Sequence, residues 1–182
     1  MKEKFKAWFL RNREFLTDHG FIHSAAEGVL LLVGAFFILT MAGTYAASVA
    51  GNSVDDLILD WMKPRDVNFV FVDLAVVFIG FILFLMVYQP KWIPFILRAV
   101  ALFYLVRSVF VILTHLGPIH EQTVIDTSGF IARRLTFGRD YFFSGHTGTP
   151  FLFALMFWRR KWLRNICLIS SLTAGAAVLL GH

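Results

Sequence analysis

Apolar residues occur along this chain in five long runs, and short polar or charged segments separate them. The runs cover about residues 28–50, 67–88, 93–116, 149–158 and 166–180, and the fourth can be extended at both ends. An α-helix needs roughly 20 apolar residues to cross a bilayer core of about 30 Å. The pattern therefore predicts an all-α, polytopic transmembrane helical bundle, with shorter fourth and fifth spans.

Composition supports a membrane protein and argues against a soluble domain. Of the 182 residues, 58% are hydrophobic and 21 are phenylalanine, and the mean hydropathy is +0.69. The net charge of +5 does not indicate a nucleic-acid partner, because the basic residues cluster at span ends, where orientation signals lie. A single cysteine, Cys167, excludes an intrachain disulfide. We expect no cofactor and a lipid bilayer as the surroundings.

Charge is distributed unevenly among the segments that flank the runs. Residues 1–27 are basic and aromatic, which predicts an amphipathic N-terminal helix on the membrane surface and no cleavable signal peptide. Residues 159–164 are strongly basic, whereas residues 51–66 carry four aspartates against one lysine and one arginine. The positive-inside rule then predicts a cytoplasmic N-terminus. The loop before the fourth run and the end of the fifth run lie on the non-cytoplasmic face, both within a membrane domain over residues 28–182.

One polar, glycine-containing turn stands out before the fourth run. It reads Ser-Gly-His-Thr-Gly over residues 144–148, and Thr149-Pro150 follows as a predicted helix start. A helix N-terminus favours an anion, and glycine allows close backbone approach. Histidine is the side chain best suited to move a proton near neutral pH, so His146 is a candidate acid or base beside a bound phosphate. The same loop carries further positive charge, on Arg133, Arg134 and Arg139. The alternative is an ordinary interfacial loop with a solvated histidine.

Residues 140–147, Asp-Tyr-Phe-Phe-Ser-Gly-His-Thr, resemble a known motif. It is the Asp-Tyr-x-x-Ser-Gly-His-Thr motif of sphingomyelin-synthase-like proteins, a branch of the type 2 phosphatidic-acid phosphatase superfamily. Tyr104-x-x-Arg107 followed by the Thr-His-Leu-Gly-Pro of residues 114–118 is similar to that branch's third-span pattern. Residues 64–66, Pro-Arg-Asp, resemble its Pro-x-Pro-Asp loop more loosely. The resemblance runs from about residue 60 to the end.

What the resemblance implies is metal-independent phosphoryl transfer on a membrane phospholipid or lipid phosphate. In the family, a histidine attacks the phosphate and forms a phosphohistidine, an aspartate orients it, and the Ser-Gly-His histidine protonates the leaving alcohol. His146 matches this last position. The implied substrate-binding residues are Ser144, Gly145, Thr147, Asp140, Tyr141 and Arg107.

The family's nucleophile and its aspartate belong to a His-x-x-x-Asp motif just after the fifth span. This sequence ends at His182, which matches the residue before that motif; a second reading makes His182 the nucleophile itself. The family also has a sixth span. We therefore expect these 182 residues to be an inactive piece of an active, full-length enzyme with six spans. A fifth run of 15 residues, about 22 Å long, would barely cross a bilayer.

Two charges fall inside apolar runs, Asp73 in the second and Arg107 in the third. A lone charge at mid-bilayer costs at least ~3 kcal/mol, so each needs a partner. Arg107 has two readings: it helps to hold the phosphate from a polar face with Tyr104, Val111 and Thr114, or it forms a structural pair with Asp73. A metal site at His115, His120 and Glu121 is not expected, because Gly117-Pro118 breaks the helical register between them.

Two functions remain open from the sequence. The first is a lipid phosphatase or headgroup phosphotransferase with His146 as acid and base. The second is a non-catalytic lipid-binding or scaffold protein that keeps a remnant of the active-site loop.

Overall fold

The computed structural model describes residues 18–49, 68–114 and 144–181, together with Trp8, Asn12, Arg13, Phe15 and Thr17. The three long ranges are helical apart from turns and helix ends, and they contain no strand, which confirms the all-α class. They hold α1 (His19–Ser48), α2 (Asn68–Tyr88), α3 (Ile93–Leu113), α4 (Gly145–Met156) and α5 (Lys161–Gly181). A 3₁₀ turn over Pro90–Trp92 joins α2 to α3.

Three stretches are long and apolar enough to cross a membrane, namely His19–Ser48, Pro90–Leu113 and Lys161–Leu180. α2 contributes a shorter apolar stretch, Asp73–Tyr88. The 12 residues of α4 extend about 18 Å, which does not cover a bilayer core alone. These lengths fit a membrane protein, while five spans and their sidedness stay predictions.

Large apolar side chains cover much of the outer surface. Leu30 is 72% exposed, Leu172 is 73% exposed and Val77 is 68% exposed. A soluble monomer rarely exposes apolar patches larger than a few hundred Å². Such an apolar surface is suited to contact with lipid.

The first apolar helix begins before residue 28, where the first apolar run begins. α1 begins at His19, where the Asp18 carboxylate accepts hydrogen bonds from the amides of Gly20 (3.3 Å) and Phe21 (3.0 Å). An aspartate N-cap satisfies amides that have no partner inside the helix, so it sets the boundary regardless of hydropathy. Residues 19–27 therefore continue the first apolar helix.

The fifth helix was also predicted too short. α5 begins at Lys161 and has 21 residues, about 31 Å, which is enough to cross a bilayer core. Only a tight turn over residues 157–160 separates it from α4. Apolar run length underestimates such a helix because lysine and arginine can lie in its first turn and extend their charged ends to the interface.

α1 and α3 pack side by side in parallel. A Cβ atom added at Gly28 would lie 2.8 Å from Leu97 Cβ, so the two backbones approach closely there. The Phe36 and Tyr104 rings follow, with centroids 4.7 Å apart. On the exposed side, Arg98 and Glu27 form an ion pair of 2.6 Å.

α2, α4 and α5 share a second core. It contains Phe78 from α2, Phe153 from α4, Phe157 from the turn after α4, and Leu163 and Cys167 from α5. α3 joins this core at its beginning, where the Trp92 ring lies 5.3 Å from the Phe157 ring.

The later part of α3 meets the beginning of α4. The Tyr104 hydroxyl lies 3.4 Å from the Thr149 hydroxyl, whereas Trp92 meets Phe157 at the opposite end of the same contact. α3 and α4 therefore run antiparallel, and the first turn of α4 lies deep along the last third of α3.

Candidate functional site

Ser144 is the N-cap of α4 and the first residue of the Ser-Gly-His-Thr sequence. Its backbone is extended (φ −67°, ψ 112°) and its hydroxyl accepts from the Thr147 amide at 3.4 Å. Its carbonyl accepts from the Gly148 amide at 2.9 Å. The serine supplies the side-chain acceptor that a helix N-terminus lacks.

The prediction that α4 begins at Thr149-Pro150 is therefore wrong. Pro150 lies inside the helix, and His146 belongs to the first helical turn instead of a surface loop. Proline has no amide hydrogen, so position 150 donates no hydrogen bond to the carbonyl of His146.

Gly145 brings α4 against Arg107 of α3. A Cβ atom at position 145 would lie 2.9 Å from Arg107 Nη1 and 3.3 Å from its Cζ. Any larger residue would have to displace the guanidinium. The glycine in Ser-Gly-His is thus required for close approach of a helix end to a cation.

Arg107 and His146 lie close enough to interact electrostatically. Arg107 is only 7% exposed, and its charge interacts electrostatically with the His146 imidazole. The N-terminus of α4 adds the positive end of a helix dipole at the same place. Guanidinium, helix end and imidazole together make a position that favours an anion.

The polar face predicted on α3 is present only in part. Tyr104 and Arg107 reach α4, whereas Val111 lies in an apolar cluster with Leu39 and Ala42 of α1. Thr114 donates back to the Phe110 carbonyl at 2.7 Å.

Ser108 belongs to this part of α3 and was not predicted. It is 1% exposed, and its hydroxyl donates to the Tyr104 carbonyl at 2.8 Å. A serine four residues after the motif tyrosine was the only sequence signal for it.

The alternative ion pair between Asp73 and Arg107 is not formed. Asp73 is exposed, and the ion pair found within the described ranges joins Arg98 to Glu27. α2 packs mainly against α5 instead of α3, which keeps Asp73 away from the guanidinium. Arg107 contacts the first turn of α4 instead of Asp73.

α5 supports the same turn from another side. The Ser171 hydroxyl donates to the Thr147 carbonyl at 2.9 Å, and Ser171 is 6% exposed. A Cβ atom at Gly175 would lie 3.4 Å from Thr147 Cγ2. Small residues such as these permit close packing of membrane helices.

The site is recessed within the bundle. Gly145 is level with Arg107, six residues before α3 ends at Leu113, which corresponds to about 9 Å along the helix. Thr147 is level with Ser171, ten residues before α5 ends at Gly181. A ligand here would be held between helices.

Other predicted residues lie outside the described ranges. These are Asp140, Tyr141 and His182 of the proposed site, the loop arginines, the Pro-Arg-Asp segment, and His115, His120 and Glu121. Within the described ranges, no group of three histidine, cysteine, aspartate or glutamate side chains is placed to hold a metal.

No protein-family model, curated protein or solved structure matches this chain. The family resemblance therefore depends on the motif residues themselves.

Proposed function

We propose that this protein is an integral-membrane lipid phosphatase or headgroup phosphotransferase in which His146 is the acid and base. The observation that supports the proposal most strongly is the close approach of Gly145 to the Arg107 guanidinium, 2.9 Å from a Cβ position. It brings a cation, a helix N-terminus and an imidazole to one buried place. A lipid phosphate is a ligand that these groups suit.

The chemistry divides among these groups. Arg107 and the start of α4 hold the non-bridging phosphate oxygens and stabilise the charge that spreads over them during transfer. The negative charge of the bound phosphate favours the protonated form of His146 against the effect of Arg107. As the bond from phosphorus to the leaving oxygen breaks, His146 gives its proton to that oxygen, and the lipid alcohol leaves neutral. A new bond to phosphorus forms from the attacking group on the opposite side.

In the family that the motif resembles, the attacking group is the histidine of the His-x-x-x-Asp motif. The resulting phosphohistidine then passes its phosphoryl group to water or to a second lipid alcohol. Neutral His146 takes the proton of that acceptor and so returns to its starting state. Position 146 therefore serves both half-reactions, whereas Arg107 serves binding and charge stabilisation in each.

The experiment measures binding and turnover by the full-length protein in lipid nanodiscs with EDTA present. Substrates are a panel of phospholipids and lipid phosphates, each compared with its dephosphorylated alcohol. We expect tighter binding of the phosphorylated member, and we expect His146→Gln to lower kcat by about 10²–10⁴-fold, the usual contribution of a general acid.

His23→Gln is the matched control, because His23 is exposed on α1 far along the chain from the motif. Full turnover by His146→Gln would remove the catalytic assignment. Selective binding of lipid phosphates without turnover by the wild type would favour the lipid-binding protein over the enzyme.

A further inference from the structure

The first turn of α4 is packed between α3 on one side and α5 on the other. Successive residues of an α-helix are rotated by about 100°, so Gly145 and Thr147 point about 200° apart with His146 between them. Gly145 faces Arg107 of α3. Thr147 faces Ser171 and Gly175 of α5.

The contact on the α5 side has two parts. The buried Ser171 hydroxyl donates to the Thr147 carbonyl at 2.9 Å, which fixes the rotation of the turn. Gly175 leaves space for the Thr147 side chain, since a Cβ there would already touch Cγ2 at 3.4 Å. A bulkier residue at 175 would push the turn away from α5.

The contact from α5 lies next to the candidate acid and base. The Ser171 hydroxyl donates to the carbonyl of Thr147, the residue that follows His146. α5 therefore holds this turn by a hydrogen bond from outside the α4 helix.

We propose that Ser171 and Gly175 are positioning residues that hold His146 at a fixed orientation beside Arg107. The inference rests on the proposed function and adds a second helix to its site. α3 supplies the charge, while α5 sets the rotation of the acid and base. Displacement of a reacting group by about 1 Å can lower a rate by roughly 10²-fold, so loss of this hold affects turnover more than binding.

The kinetic test compares Ser171→Ala with Ser170→Ala, its neighbour on α5. We expect Ser171→Ala to lower kcat by between about 10- and 100-fold with KM unchanged, and Ser170→Ala to leave both unchanged. Gly175→Val should lower kcat in the same way, whereas Ala176→Val, at an exposed position, should not. Wild-type kcat in both Ser171→Ala and Gly175→Val would overturn the proposal.

A second readout separates this proposal from the proposed function. NMR of ¹³C-labelled histidine, with His146 assigned through His146→Gln, reports the ring's surroundings whether or not turnover occurs. We expect Ser171→Ala to move the His146 resonance and leave those of His19 and His23 in place. An unmoved resonance refutes the positioning proposal. A moved resonance in a protein without lipid-phosphate turnover or binding refutes the proposed function and leaves the positioning proposal standing.

Discussion

An arginine lies near each end of α4, and the two arginines differ in their exposure and in the groups that they contact. At the C-terminal end, exposed Arg160 lies over the Trp92 ring, 4.7 Å from its centroid. At the N-terminal end, Arg107 of α3 is 7% exposed and touches the position of Gly145.

The helix dipole at the N-terminal end of α4 disfavours a cation at Arg107, whereas Arg160 lies between the C-terminal end of α4 and the N-terminal end of α5, whose dipoles oppose each other. Arg160 therefore fits a structural explanation, in which an exposed cation and an aromatic ring stabilise each other. Arg107 lies at a helix end whose dipole favours an anion. If the proposed function is right, the N-terminal end of α4 binds a negative ligand and the C-terminal end does not, and the predictions below test that division.

The largest effect is expected from the core that fixes the C-terminal end. Phe153 is 3% exposed and its ring lies 5.8 Å from Phe78 and 6.0 Å from Phe157. Phe153→Ala should lower the free energy of unfolding by ~3–5 kcal/mol, because it removes a buried ring and leaves a cavity. Reversible unfolding in mixed detergent measures this. Lipid-phosphate affinity per folded molecule should stay unchanged; a large loss of affinity would show that the two ends are not separable.

The second effect concerns affinity at the N-terminal end. Arg107→Gln removes the guanidinium that faces Gly145 and His146, and it should weaken lipid-phosphate binding by ~1.5–3 kcal/mol, the usual worth of a hydrogen bond to a charged group. Titration of nanodiscs with a phosphorylated lipid and with its alcohol checks this. Arg98→Gln, on the same helix but in the exposed pair with Glu27, serves as the control. Equal losses in both variants would contradict a specific site.

A smaller effect is expected from Gly145→Ala. The new Cβ would lie 2.9 Å from Arg107 Nη1, and the flexible arginine can move aside. We expect nearly unchanged thermal stability and a weakening of lipid-phosphate binding by ~1 kcal/mol, because the charge no longer sits at the helix end. Gly34→Ala on α1, where nothing lies within 4 Å, should leave binding unchanged. Wild-type affinity in Gly145→Ala would mean that the close approach has no function.

The helices were predictable from the sequence because apolar runs of this length have few other structures available to them. Their ends were less predictable. Asp18 caps α1 ten residues before the predicted start, and Ser144 caps α4. Caps depend on local hydrogen bonds that hydropathy does not report.

The site was predictable as a motif and not as a set of contacts. Ser144 to Thr147 form one local turn, so their spacing is visible in the sequence. Ser171 reaches that turn from another helix. Lipid-facing and buried faces of a membrane helix are both apolar, so the periodic pattern does not show which face meets which partner.

The smallest effect tests the C-terminal end directly. Arg160→Gln removes the cation above Trp92 and should lower the free energy of unfolding by ~0.5–1 kcal/mol, the range for an exposed cation–π contact. A double-mutant cycle with Trp92→Phe isolates the pair from the general loss of charge, because only the interaction energy depends on both residues. Lipid-phosphate affinity should not change, since Arg160 lies at the opposite end of α4 from His146. If Arg160→Gln weakened that affinity as much as Arg107→Gln does, the phosphate would respond to overall charge, and the contrast between the two arginines would have no functional meaning.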